Sequence, residues 1–304
     1  MSKWTSLAAL LLASCATVVS NQPIKLSLGT ATPGGGFPVY GDAFAATVHE
    51  ADPTITIEPR NTRGSNENIP MLEAGTLDLA LVAGEPAHEA LSGTGGMPAK
   101  MKVVAAMYPT AGMFVVRADS PYRSIHDLKG KPIGWGARAS GFIPLAGFTL
   151  DSLGLDRVGD GPAMLRDGRV AALWGGGIGF PSFIEAAKMP GGARFIAPTN
   201  AEIQLILAKH KQMKPVTIPA NSYAGQSDAL PSVGSWSFVF ARPDLPEDAA
   251  YRVARALHRG EAKFAARLPQ ARTSTAANTA AAVADPSLIH PGALRYLREA
   301  GIAK

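Results

Sequence analysis

Twice in this chain a short strand runs into a glycine-rich loop that opens a helix, and this repeated device narrows the fold more than any other feature. Ile24-Lys25-Leu26-Ser27-Leu28 alternates as a strand does and feeds the loop Gly29-Thr30-Ala31-Thr32-Pro33-Gly34-Gly35-Gly36. Residues 39–51 follow, with Phe44, Thr47 and Val48 at helical spacing. Further on, Ile133-Gly134-Trp135-Gly136 leads through Ala137-Arg138-Ala139-Ser140-Gly141 into a helix expected to reach Leu153, with Pro144 tolerated in its first turn. A strand followed directly by a helix needs a sheet on one side and a helical layer on the other, so the chain reads as α/β. Two such devices in 304 residues, at ~100–200 residues per domain, imply two lobes. Each lobe aims a loop and a helix N-terminus at a ligand.

The remaining segments fit that plan. Residues 54–59 alternate as a strand. After the loop Asn61-Thr62-Arg63-Gly64-Ser65 comes a short helix over 67–74, with Ser65, Asn66 and Asn68 among its N-cap candidates. Gly75 closes that helix, and 78–82 is a buried strand. Residues 103–108 and 113–117 read as two further strands, and 125–128 as a short helix. Gly168-Arg169-Val170-Ala171-Ala172-Leu173-Trp174 repeats the pattern of Gly75 to Val82, a helix ended by glycine and then a buried strand. The segment Gly175-Gly176-Gly177-Ile178-Gly179-Phe180-Pro181 then demands close backbone approach or unusual dihedrals. Ser182 is the expected cap of a helix over 183–188. Residues 235–241 alternate as a strand, and the tail is helical over 247–259, 261–267 and 292–300.

The N-terminus reads as an export signal. Lys3 precedes the apolar run Leu7-Ala8-Ala9-Leu10-Leu11-Leu12-Ala13, which is shorter than the ~20 residues of a membrane span. Leu12-Ala13-Ser14-Cys15 resembles a bacterial lipobox, in which Cys15 carries lipid after cleavage; ordinary cleavage near Ser20 is the alternative. Cys15 is the single cysteine, so no disulfide forms within the chain and no cysteine metal site exists. The formal charge of +5 suits an anionic ligand or surface. It also suits nucleic acid, but no basic cluster or basic–aromatic stripe accompanies it, and nucleic acid is not an expected partner.

Glycine loops that open helices are anion cradles, because backbone N–H groups and the helix dipole both favour negative charge. Neither loop carries a phosphate-loop Gly-Lys-Ser/Thr or a dinucleotide fingerprint, so each is either a cradle of another kind or a structural turn. Arg63 and Arg138 lie in loops at the expected lobe junction, where an arginine either clamps a carboxylate or is simply solvated. The aromatic residues Phe37, Tyr40, Trp135, Phe142, Phe180 and Tyr223 fall near loop tips, either as a pocket wall or as core. The six histidines show no metal spacing, and there is no GxSxG elbow or Ser/His/Asp grouping. No enzymatic chemistry and no cofactor are expected.

These loops resemble the TAXI family of TRAP-transporter solute receptors, in the NMT1/THI5-like superfamily, over residues 24–301. The resemblance is carried by Gly29-Thr30 with Gly34-Gly35 and Phe37, and by Thr62-Arg63-Gly64-Ser65-Asn66-Glu67-Asn68. Val116-Arg117-Ala118-Asp119-Ser120, with Ile125 through Lys131, extends it. Ile218-Pro219-Ala220-Asn221-Ser222-Tyr223 and His290-Pro291-Gly292-Ala293 with Tyr296 complete it. It implies a two-lobed type II periplasmic binding protein fold, each lobe a mixed sheet flanked by helices. Two hinge strands, near 114–117 and 235–240, would join them. After a signal sequence over 1–22, lobe 1 would comprise 23–115 plus 238–304 and lobe 2 would comprise 116–237. The implied protein is a periplasmic monomer, lipid-anchored through Cys15 if the lipobox is used. It would deliver a small organic anion to an ion-coupled TRAP membrane permease.

Three departures from the family pattern shape the expected ligand. Ala83-Gly84-Glu85 stands where Gln-Ser-Asp is common, Ala139-Ser140-Gly141-Phe142-Ile143 replaces Gly-Ser-Gly-Thr-Glu, and Phe37-Pro38 replaces a tyrosine pair. A pocket that has lost polar partners favours a carboxylate with an apolar or aromatic body over glutamate. The ligand-binding set is therefore Thr30, Thr32, Gly34, Gly35, Phe37, Arg63, Ser65, Glu85, Arg138, Ser140, Gly141, Phe142, Phe180 and Tyr223. The rival readings are a binding protein presenting its solute to a membrane sensor kinase, an exported enzyme on the same scaffold, and a thiamine-precursor binder.

Overall fold

The computed structural model describes residues 22–94, 96–135, 141–153, 165 and 168–304. The expected leader with Cys15, and the loop positions Arg138 and Ser140, lie outside them. The first lobe opens with β1 (Ile24–Gly29), α1 (Gly36–Ala51), β2 (Ile55–Arg60), α2 (Ser65–Glu73), β3 (Leu79–Val82) and α3 (Gly84–Ser92). A long strand, β4 (Lys102–Arg117), carries the chain into the second lobe. That lobe contains β5 (Ile133–Gly134), α4 (Phe142–Ser152), β6 (Ala172–Gly176), α5 (Pro181–Ala187), β7 (Ala193–Ile196), α6 (Asn200–Lys209) and β8 (Lys214–Ile218). A second long strand, β9 (Leu230–Ala241), returns, and α7 (Glu247–Arg267), α8 (Ala276–Ala282) and α9 (Pro291–Glu299) complete the first lobe.

The strand order is β2-β1-β3-β9-β4-β6-β5, with β7 also on β4 and β8 also on β9. β1 pairs parallel with β2 and β3, as short strands joined by crossover helices must. β9 lies antiparallel to β3 and β4. Each lobe buries apolar residues on both faces of its part of the sheet. In the first, Leu28, Phe44 and Phe264 pack on one face, and Leu72, Phe240 and Leu297 on the other. In the second, Phe114, Trp174 and Ile203 pack on one face, and Leu173, Phe183 and Phe195 on the other. Along β4 the change from first-lobe to second-lobe core falls between Tyr108 and Ala111; along β9 it falls between Val233 and Phe238. This is the two-lobed α/β fold with two connecting strands, and the β4 crossing lies N-terminal to the 114–117 segment expected for it.

Several elements differ from the sequence reading for identifiable reasons. The expected strands 103–108 and 113–117 are one strand, β4, with register shifts between Val103 and Ala105 and between Ala106 and Pro109. Thr110-Ala111-Gly112 looks like a break in sequence, yet Ala111 pairs with Gly234, where a Cβ would stand 2.0 Å from the Thr110 carbonyl oxygen. A glycine there lets the two crossing strands pack closely. The expected helices 247–259 and 261–267 are one, α7, running through Gly260 because Ala256, Leu257 and Phe264 keep a single buried face. α2 starts after Gly64 (φ 115°), not after an Asn or Ser cap. α5 starts with Pro181 at its first position, so Phe180 replaces Ser182 as its cap. The late His290-Pro291-Gly292 motif is a helix start: His290 Nδ1 accepts the Gly292 N–H at 3.2 Å, opening α9.

Candidate ligand-binding cleft

A cleft of about 1150 Å³, part of it open to solvent, lies between the lobes. The first lobe contributes the loop after β1, the turn before α2, and the side chains of Tyr108 and Gln270. The second contributes Trp135, Gly141, Trp174, Ile178, Phe180 and Ser182 among others.

Among the described residues, three helices that begin after a glycine open onto it. α1 begins after Gly35, α2 after Gly64 and α4 after Gly141, and none of these caps is hydrogen-bonded through a side chain. Their first-turn N–H groups therefore have no side-chain partner supplied by a cap, and the positive ends of the helix dipoles face the same space. The Tyr108 hydroxyl stands beside the start of α1, 3.7 Å from where a Cβ on Gly36 would be. Burial holds its pKa above the usual tyrosine range, so it stays a neutral O–H donor. Ser65 is buried, and its Oγ accepts the Ala83 N–H at 3.0 Å. No Asp or Glu lines the cleft among the described residues. The opposite wall is aromatic. Trp135 and Trp174 both pack against Phe114, with centroids 6.0 and 4.9 Å away, and Phe180 meets Phe183 edge-on at 5.2 Å. An anion-favouring end and an apolar wall thus share one cavity.

The lobes touch across it. A Cβ on Gly141 would lie 2.5 Å from Ser65 Oγ and 2.6 Å from Ala83 Cβ, and one on Gly36 would lie 3.9 Å from a Phe180 ring carbon. The arrangement is a closed one.

Of the expected site residues, Thr32, Gly34, Gly35, Phe37, Arg63, Ser65, Gly141 and Phe180 line the cleft. Arg63 is at its mouth, with a side chain 76% exposed and Nε 3.3 Å from Glu67 Oε1. Thr30, Glu85 and Tyr223 are off the wall, each with its polar atoms engaged inside the protein. Thr30 Oγ1 donates to the Arg60 carbonyl at 3.0 Å. Glu85 accepts from Ser235 Oγ at 2.6 Å. Tyr223 donates to the Gly177 carbonyl at 2.7 Å and accepts the Phe180 N–H at 3.1 Å, so it braces the loop that carries Ile178 and Phe180. Burial pushes its hydroxyl up to about 12. Phe142 is the first residue of α4; its side chain, with Arg138 and Ser140, lies outside the described set. Tyr40, from the aromatic set, is core, its hydroxyl donating to Ser274 Oγ at 3.0 Å. Tyr108, Trp174 and Gln270 are wall residues that the sequence reading missed. Among the described residues no cluster of three His, Cys, Asp or Glu is placed to hold a metal ion, and no helix is long and apolar enough to cross a membrane.

The model of the NMT1-like family matches residues 28–301, nearly the whole of both lobes. The chain belongs to the NMT1-like family. Solved structures similar to this NMT1-like chain include one described as a periplasmic transporter, at 14% identity and TM-score 0.58, covering 82% of this chain and 87% of that one. The periplasmic binding protein BugD matches at 14% identity and TM-score 0.56, covering 93% of this chain and 99% of that one. MatC from Rhodopseudomonas palustris, solved with bound malate, matches at 13% identity and TM-score 0.58, covering 91% and 96%. At these identities the likeness is one of fold.

Proposed function

We propose that this NMT1-like protein is a periplasmic solute-binding protein that takes a small organic anion into the inter-lobe cleft and performs no chemistry on it. The observation that carries this reading is the convergence of three glycine-capped helix N-termini, two from the first lobe and one from the second, on a cleft with an aromatic far wall. Donors of both lobes acting on one anion make closure depend on the ligand, the property a transport receptor needs. The fold likeness to periplasmic binding proteins, one of them holding malate, and the net charge of +5 support the same reading. The ligand is a carboxylate with an apolar or aromatic body, the carboxylate among the α1, α2 and α4 starts with Arg63 at the entrance, and the body against Trp135, Trp174 and Phe180. The loop motifs favour a TAXI-type receptor, with a TRAP permease as partner.

A thermal-shift screen tests it. Organic acids, amino acids and aromatic carboxylates are added to refolded protein, each beside its methyl ester. A ligand at 100 times its Kd stabilises the fold by about 2.7 kcal/mol. Shifts from one class of acid and none from its esters are expected. Equal shifts from acids and esters, or none from any acid, would overturn the anion reading.

A further inference from the structure

Gln270 sits on the turn Pro269–Thr273 that follows α7 in the first lobe. The turn is tied to β4: Thr273 Oγ1 donates to the Met107 carbonyl at 3.4 Å, Ser274 Oγ donates to the same oxygen, and Tyr40 braces Ser274. Ala271 is packed in the first-lobe core. The Gln270 side chain is thereby held on the cleft wall, only 5% exposed, and its Oε1 is buried with no hydrogen-bond partner. What covers that oxygen is the other lobe. Gly179, in the loop braced by Tyr223, approaches so closely that a Cβ there would stand 2.7 Å from Oε1. Its φ of 73° is also a conformation that suits glycine.

An amide oxygen in the open cleft is hydrated. Closure strips that water, and a buried acceptor left unpaired opposes the closed state. A ligand donor that enters between Gly179 and Gln270 before the lobes fully close pairs Oε1 and removes the opposition. The donor must be uncharged, because no carboxylate lines the cleft among the described residues to balance an ammonium group. We propose, on the reading of the cleft as the solute site, that Gln270 is a specificity-determining residue that makes closure depend on a neutral O–H or N–H of the ligand. The solute is then a hydroxyl- or amide-bearing organic acid, not a plain hydrocarbon acid.

Two measurements test this. The first needs no solute: small-angle scattering of ligand-free wild type, Gln270→Leu and Gln270→Glu at neutral pH. Gln270→Leu is expected to be more compact than wild type, because closing it empty buries no orphan acceptor, and Gln270→Glu more extended. Identical radii of gyration for all three would overturn the coupling. Should Gln270→Leu fail to fold, Gln270→Met gives the same readout. The second is calorimetry with matched acids, 3-phenyllactate against 3-phenylpropionate and mandelate against phenylacetate. Wild type is expected to favour the hydroxylated member about tenfold. Gln270→Leu is expected to lose that preference by binding the deoxy acid more tightly. Equal affinities in wild type would overturn the inference while leaving the anion site standing. Absence of binding by all four acids, with the compaction series present, would support the coupling and count against the carboxylate ligand.

Discussion

Replacing Gly141 by Thr is expected to weaken ligand binding by about 100-fold while leaving the melting temperature of the ligand-free protein nearly unchanged. Gly141 caps α4 with φ −64° and ψ −6°, a conformation open to any residue. Thr is about as good a cap as Gly, so α4 itself loses little. The obstruction comes from the opposite lobe, where the new Cβ would meet Ser65 Oγ at 2.5 Å and Ala83 Cβ at 2.6 Å. Both neighbours are buried and belong to the α2 start and the chain after β3. The variant therefore folds but cannot bring α4 against α2. Losing one lobe's donors and wall costs about 2.7 kcal/mol of binding, which is the 100-fold. Calorimetry with the best acid, beside a thermal melt without it, separates the outcomes. A lowered melting temperature with unchanged affinity would mean the Gly141 contact belongs to folding and not to closure.

Glu85→Gln is expected to flatten the dependence of stability on pH. Glu85 lies in the first turn of α3, fully buried, and burial pushes its carboxyl up to about 7, against the lowering effects of the Ser235 hydroxyl and its own backbone N–H; the nearby Glu89 raises it further. Between the ordinary carboxylate value of 4.5 and 7, the folded protein holds a proton that the unfolded chain has released. Stability from this group is thus fully present below about 4.5 and is lost as pH rises through 7, a change on the order of 3 kcal/mol. Gln keeps an acceptor for Ser235 and never ionises. Urea unfolding should therefore show the variant more stable than wild type at pH 8 and similar to it near pH 4. Parallel curves across that range would contradict a raised Glu85.

Much of this architecture is legible in the chain. The glycine clusters after β1 and before α4 mark two of the three glycine-capped helix starts that open on the cleft, and Arg63-Gly64-Ser65 marks the third. What the chain conceals has physical reasons. Glu85 and Tyr223 look like ligand groups because polar residues near loop tips often are, but Ser235 and the Gly177–Phe180 backbone satisfy them from distant sequence. Gln270 gives the opposite case. It sits in a featureless stretch after α7 and reaches the wall only because Thr273 and Ser274 bond to β4, more than 160 residues earlier. Tyr108 and Trp174 lie in apolar strand runs, where nothing local separates a wall residue from a core one. β7, α6 and β8 have no counterpart among the elements expected from the sequence. Yet Thr199 and Glu202 form a capping box that opens α6, a pattern visible in the sequence.

The most direct test of an anion held by helix starts is an amide-resolved NMR titration of the protein with the acid that gives the largest thermal shift. The largest changes are predicted at the N–H groups of Gly36, Phe37, Ser65 and Asn66, the first turns of α1 and α2, with the Trp135 and Trp174 indoles following as the lobes close. Saturable binding that leaves those four amides unmoved would contradict the account.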